Sequence, residues 1–154
     1  MKKKIAIVMM ALLLVVTALH ASAEEFAAEK ENAIAAVKVS MPDAVVDYTV
    51  RERDDGRYEW HLFFTQGGQL GQVKVLEDGN ELRKVTLYEK PDGALTAAEA
   101  LEKRAASKGA VTVIDLDLDR DDGRLRYEGE AELDGKRYEF EMSVTGELLE
   151  WERD

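Results

Sequence analysis

Apolar and charged residues alternate with a period of two along the last third of the chain. Leu125, Tyr127, Ala131 and Leu133 interleave with Arg126, Glu128, Glu130 and Glu132. After Asp134-Gly135, Tyr138, Phe140, Met142 and Val144 interleave with Arg137, Glu139, Glu141 and Ser143. One apolar and one charged face at that period describes half-buried antiparallel strands, and Asp-Gly between two such runs marks a hairpin. An Asp-Asp-Gly turn at 121–123 precedes this unit, and Thr145-Gly146 leads into a last short strand ending at Trp151.

The first half is built from the same devices. Phe26, Ala33, Ile34, Val37 and Met41 recur at helical spacing opposite Glu29, Lys30 and Glu31. This predicts an amphipathic helix from Glu24 to Ser40 that stops before Pro42, because the residue preceding proline avoids the α region. The polar face carries acids rather than a basic stripe, which points to core packing and not to a membrane surface. Val46, Tyr48 and Val50 then share one face of a strand, and Asp54-Asp55-Gly56 turns the chain. Tyr58, Trp60, Leu62 and Phe64 alternate with Glu59, His61 and Phe63; Gly67-Gly68 leads into Val73 and Val75, and Asp78-Gly79-Asn80 into a strand from Leu82 to Tyr88. Pro91-Asp92-Gly93 is the one linker-like stretch. Thr96-Ala97-Ala98-Glu99 is a capping box opening a second helix that carries Ala97, Leu101 and Ala105 and stops at Gly109. Val111 to Leu118 reads as the next strand.

The two halves are one pattern used twice. Arg53 to Arg57 and Arg120 to Arg124 are identical pentapeptides 67 residues apart. The same offset carries Ala33 onto Ala100, Ile34 onto Leu101, Gly68 onto Gly135, Val73 onto Phe140, Val75 onto Met142 and Leu82 onto Leu149. Turn glycines and apolar positions that coincide without a gap indicate an internal repeat. One strand resists the match: Tyr48 and Val50 fall onto Asp115 and Asp117, with Ile114, Leu116 and Leu118 apolar instead. A one-residue bulge or shift is expected there.

Composition adds export and acidity. Lys2, Lys3 and Lys4, the apolar run Ile5 to Leu19 and the small residues Ala21-Ser22-Ala23 have the form of a secretory signal over 1–23, with processing before Glu24. The run is short for a spanning helix, which makes cleavage the expected outcome and an uncleaved anchor the alternative. Without its three lysines the chain keeps 18 basic and 32 acidic side chains, a net charge of −14. That surplus disfavours nucleic acid and anionic membrane as partners. With no cysteine, neither a lipid-anchored cysteine nor a disulfide framework is available.

The repeats resemble the PepSY domain, the second most clearly. The matching residues are the helix with Glu99-Ala100, the strand before Asp122-Gly123, Tyr127-Glu128, Asp134-Gly135-Lys136-Arg137-Tyr138-Glu139, and Thr145-Gly146-Glu147-Leu148-Leu149. The first repeat departs further, with Glu77-Asp78-Gly79-Asn80 in place of Thr-Gly-Glu. The tandem arrangement is also similar to the PepSY-like group related to the beta-lactamase inhibitor protein. The resemblance implies a non-catalytic extracytoplasmic module that binds or restrains a peptidase or similar enzyme; it names no partner.

The expected architecture is therefore α+β: PepSY-like repeats over 24–90 and 91–154, each a helix followed by four antiparallel strands. The strands are expected to join in one continuous sheet with both helices on one face, because a repeat of roughly 65 residues alone buries little surface; two separate beads on the Pro91–Gly93 linker are the alternative.

The inventory of reactive groups offers little catalysis. After 1–23 the chain has one histidine, His61, and three serines, Ser40, Ser107 and Ser143, on separate elements, which does not suggest a Ser-His-Asp triad. Gly67-Gly68-x-x-Gly71 lacks the strand-to-helix setting of a phosphate loop. Asp117-x-Asp119-x-Asp121 with Glu128 imitates a calcium loop, but Asp122 stands where that loop needs glycine, and an acidic strand face explains the same residues. No catalytic residue, metal ligand or cofactor is assigned. A partner site is expected on the strand face opposite the helices in the first repeat, where His61 and Phe63 sit with Glu59 and Lys74; an exposed aromatic among polar groups has the make-up of a binding anchor. The alternative function is a structural or small-ligand- or cation-binding envelope protein that inhibits nothing.

Overall fold

A computed structural model describes residues 25–77, 81–109 and 111–154. The expected export segment and the turn at 78–80 lie outside these residues. A helix over 25–40 (α1) is followed by β1 (Val45–Asp54), β2 (Arg57–Gln66), β3 (Gln69–Leu76) and β4 (Leu82–Glu89). Then come α2 (Ala97–Lys108), β5 (Thr112–Asp121), β6 (Arg124–Leu133), β7 (Lys136–Ser143) and β8 (Leu148–Arg153). The α+β class and the helix-then-four-strands unit are as the sequence predicts.

Over the first three strands of each unit the repeat is accurate to the residue. Adding 67 to the bounds of β1, β2 and β3 gives those of β5, β6 and β7. The turns agree as well: Asp55-Gly56 has φ of 45° and 80°, and Asp122-Gly123 has 47° and 79°. Both central residues in the left-handed region make two-residue hairpins whose twist matches the strands, which is why Asp-Gly stands at each. Thr96 caps α2 as the sequence predicts: its Oγ1 accepts from the Glu99 N–H, and Glu99 accepts from the Thr96 N–H.

Among the described residues the single continuous sheet does not form. The strands make two separate four-stranded antiparallel meanders, β1-β2-β3-β4 and β5-β6-β7-β8. In the first, Trp60, Leu62, Phe64, Val73 and Val75 pack with Ala33 and Val37 of α1. Gly71 lies under the Phe64 ring across the β2–β3 pair, in space a methyl group would need. In the second, Leu116, Leu118, Tyr127, Phe140 and Met142 pack with Ala97, Ala100 and Leu101 of α2. Arg104, one repeat on from Val37, lies over the Trp151 indole at 4.1 Å, and Tyr127 donates from its hydroxyl to the Leu95 carbonyl.

The two sheets meet face to edge. The core of the second repeat also contains Val50, Phe63 and Leu70, which point away from α1 on the other face of the first sheet. That face lies over β5, the open edge of the second sheet, and β1 packs on β5. The first sheet is thus buried on both faces and the second on one. The bulge expected to reconcile β1 with β5 does not separate them, because both strands carry it at the same place, Asp47 and Ile114. What differs is what each face meets. Tyr48 and Val50 face the second repeat, whereas Asp115 and Asp117, 67 residues on, occupy the uncovered side.

Candidate functional site

The face-to-edge junction absorbs the residues expected to form an exposed partner site. His61 is 0% exposed, Phe63 1% and Glu59 4%, so the premise of an open face is overturned. For His61 and Phe63 the cause is the second repeat. Phe63 makes an edge contact with Tyr127 at 6.3 Å between ring centroids and lies the same distance from Tyr48. Glu59 accepts a bond from Arg83 of β4, and Lys74, half-buried, lies 3.8 Å from Asp117 and 4.0 Å from Glu52.

Polar ties complete the junction. An edge strand presents unpaired backbone groups that must find partners when buried. Gln72 supplies one for β5: its Oε1 accepts from the Leu118 N–H, and its Nε2 donates to the Asp117 side chain. Asp47, at the β1 bulge, accepts from the Ala98 N–H in the first turn of α2, where a carboxylate also meets the positive end of the helix. Burial nevertheless pushes the Asp47 carboxyl above its usual range, against the pull of that bond. His61 places Nδ1 3.3 Å from the Leu116 carbonyl and Nε2 2.7 Å from Glu52. Asp115 stands next to it, 3.8 Å from Nδ1.

Beyond the junction the uncovered face of the second sheet is acidic in a regular way. The register sets Asp117 opposite Glu128, Glu128 opposite Glu141 and Glu141 opposite Glu150. The neighbouring rung runs Asp115, Glu130, Glu139, Glu152. Two rungs of carboxylates thus cross all four strands around a shallow concavity of about 260 Å³. Like charges directly opposite in a sheet are destabilising. Relief comes at the margins: Arg126 lies 3.2 Å from Glu128 and 3.0 Å from Glu141, and Arg137 lies 3.8 Å from Glu130. Burial, ahead of the neighbouring acids, lifts the Glu128 carboxyl above its usual range. Asp117, Asp119 and Asp121, which imitate a calcium loop in the sequence, lie along β5 and not in a loop.

The helix-capped four-stranded unit from Ala94 onward, closed by the Thr145-Gly146 turn, is the part that known families recognise. Residues 94–152 match the family described as "Peptidase propeptide and YPEB domain", or PepSY. Among solved structures, a protein described as a lipoprotein from Clostridium difficile 630 is similar over 79% of this chain and 90% of its own, with 17% identity and a TM-score of 0.43. A BLIP-like protein from Bacteroides fragilis NCTC 9343 is similar over 80% of this chain and 84% of its own, with 16% identity and a TM-score of 0.32. No curated protein matches the sequence. The PepSY match begins at the start of the second helix unit, so both the acidic rungs and the β5 edge belong to it.

Among the described residues, sequence reasoning missed the meeting of Glu52, His61 and Asp115, which come from β1, β2 and β5. Glu52 and His61 are diagonal neighbours on one sheet face, a relation open to anyone who sets the β1–β2 register. Asp115 reaches them only through the contact between repeats, for which the sequence carries no spacing signal.

Proposed function

We propose that the protein is an exported, non-catalytic binding module that uses the acidic face of its PepSY domain to hold and restrain a basic surface on an extracytoplasmic enzyme, a peptidase by the family's description. The reading keeps an export segment over 1–23 and repeats over 24–90 and 91–154. The observation that carries it is the pair of carboxylate rungs. A face that sets acids opposite one another on every strand gives up stability in the free protein, and a cationic partner recovers it on docking. The first repeat supports the face from behind: its own second surface is packed against β5, holding the edge of the platform.

The test is binding and inhibition with purified extracytoplasmic peptidases, comparing the natural protein with a Glu128→Gln, Glu130→Gln, Glu139→Gln, Glu141→Gln variant. The natural protein is expected to bind and slow at least one peptidase, with affinity falling as salt rises. The variant, relieved of repulsion and expected to be no less stable, should bind at least about tenfold more weakly. Equal binding by the variant would move the site off this face. Tight binding with peptidase activity unchanged would leave a docking protein that restrains nothing.

A further inference from the structure

We propose that Glu52, His61 and Asp115 form a binding site for a single first-row divalent metal ion, with Zn²⁺ the best fit, that clamps the two repeats together. Asp115 also begins one of the carboxylate rungs, but the site uses no other member of them and does not depend on the acidic-face reading.

The geometry of His61 leads to this assignment. Its Nδ1 lies 3.3 Å from the Leu116 carbonyl, an acceptor only, so Nδ1 carries the hydrogen. That tautomer leaves Nε2 with a lone pair. Nε2 is buried, has no hydrogen-bond partner of good geometry, and sits 2.7 Å from Glu52 Oε2. Two acceptors at that distance repel unless a proton lies between them or a metal ion beside them. Asp115 Oδ1 is in the same condition: buried and without a hydrogen-bond partner. One donor atom from each of the three residues lies within 4.8 Å of the others.

A proton on Nε2 would meet part of this need, and a divalent ion meets more of it. Two carboxylates and a neutral imidazole carry two negative charges, which one M²⁺ balances. A histidine whose other nitrogen is fixed by a backbone carbonyl is the usual form of a metal-binding histidine. One nitrogen and two oxygens favour Zn²⁺ over the hard ions Ca²⁺ and Mg²⁺, which take oxygen ligands. Ligand bonds of about 2.0–2.2 Å at tetrahedral angles require Glu52 to open out slightly from Nε2 and Asp115, 3.8 Å from Nδ1, to swing toward the Nε2 side, leaving a fourth position for water. Lys74 lies between Glu52 and Asp117 and can pass wholly to Asp117 as the ion enters. Since Glu52 and His61 belong to the first repeat and Asp115 to the second, the ion would bind only the docked arrangement and stabilise it by mass action.

The experiment is equilibrium dialysis and thermal unfolding of the purified, chelator-treated protein with Zn²⁺ alone, then with Ca²⁺ or Mg²⁺. One tightly bound Zn²⁺ per chain and a rise in Tm that grows with its concentration are expected, with no matching rise for Ca²⁺ or Mg²⁺. Glu52→Gln and Asp115→Asn should each weaken Zn²⁺ binding at least about tenfold. Glu139→Gln, on the acidic face, should leave that site unchanged and so separates it from loose cation attraction. Because His61 is fully buried and its variants risk misfolding, the two carboxylate variants carry the test. Zn²⁺ binding unaltered in both, failure to find one site per chain, or equal stabilisation by Ca²⁺ would overturn the assignment.

Discussion

The side-chain amide of Gln72 closes the open edge of the second sheet, its Oε1 accepting from the Leu118 N–H while its Nε2 donates to Asp117. One residue of the first repeat thereby supplies a backbone partner that a strand would supply in a continuous sheet. The junction depends on such substitutions, since among the described residues the two sheets share no strand pairing.

Gln72→Ala is expected to leave the Leu118 N–H buried and unpaired, a loss of about 1–3 kcal/mol. Denaturant unfolding measures the loss, and hydrogen exchange at the Leu118 amide should quicken with it. Unchanged stability would mean that water reaches the β5 edge and that the sheets are less closely docked.

Phe63 and Glu130 occupy equivalent places in the two repeats, one inside the junction and the other on the uncovered face. Phe63→Ala should cost about 3–5 kcal/mol as a buried aromatic truncation. Glu130→Ala should fall within about 0.5 kcal/mol of the natural protein or stabilise it. Equilibrium unfolding of the two variants side by side decides the matter; a mild effect at Phe63 would restore it as a surface residue.

The elements were legible because each is specified locally. Asp-Gly pairs fix the hairpins, Thr96 and Glu99 fix a helix start, and a 67-residue offset doubles the information on every strand. The burial of the first sheet on both faces was not read, although β2 carries a sign of it. Trp60, His61, Leu62, Phe63 and Phe64 form a nearly unbroken run of large side chains, which suits a strand covered on both sides better than an amphipathic one. Arg51 obscured the pattern from the other direction. It points toward α1, where it pairs with Glu29 and lies over the rings of Phe26 and Tyr58, while Leu118 fills the equivalent place in the second repeat. The proposed metal ligands were out of reach for a different reason: they depend on how two sheets dock, and neither spacing nor periodicity encodes that.

Asp47 gives the junction a pH dependence. Burial raises its pKa, with the Ala98 N–H opposing, so the folded protein holds this proton more readily than the unfolded chain does. Stability from this group is therefore fullest at low pH and is lost as pH rises through the folded-state value. Relative to Asp47→Asn, the natural protein should lose stability as pH rises above the ordinary carboxylate range. Chemical denaturation of both across that rise should show the divergence; parallel curves would mean that Asp47 titrates as it does in the unfolded chain.

The two repeats form one body, with the first sheet's second face held inside it. The chain's two tryptophans report on this separately, Trp60 from the first core and Trp151 from the second. Trp60→Phe and Trp151→Phe variants, unfolded in denaturant and followed by both fluorescence and far-UV circular dichroism, give one probe of each repeat against one of the whole. In each variant the two transitions are predicted to coincide in midpoint and slope, as they do for a single cooperative unit. A fluorescence transition that separates from the circular dichroism transition in either variant would show the repeats unfolding independently and would contradict the account.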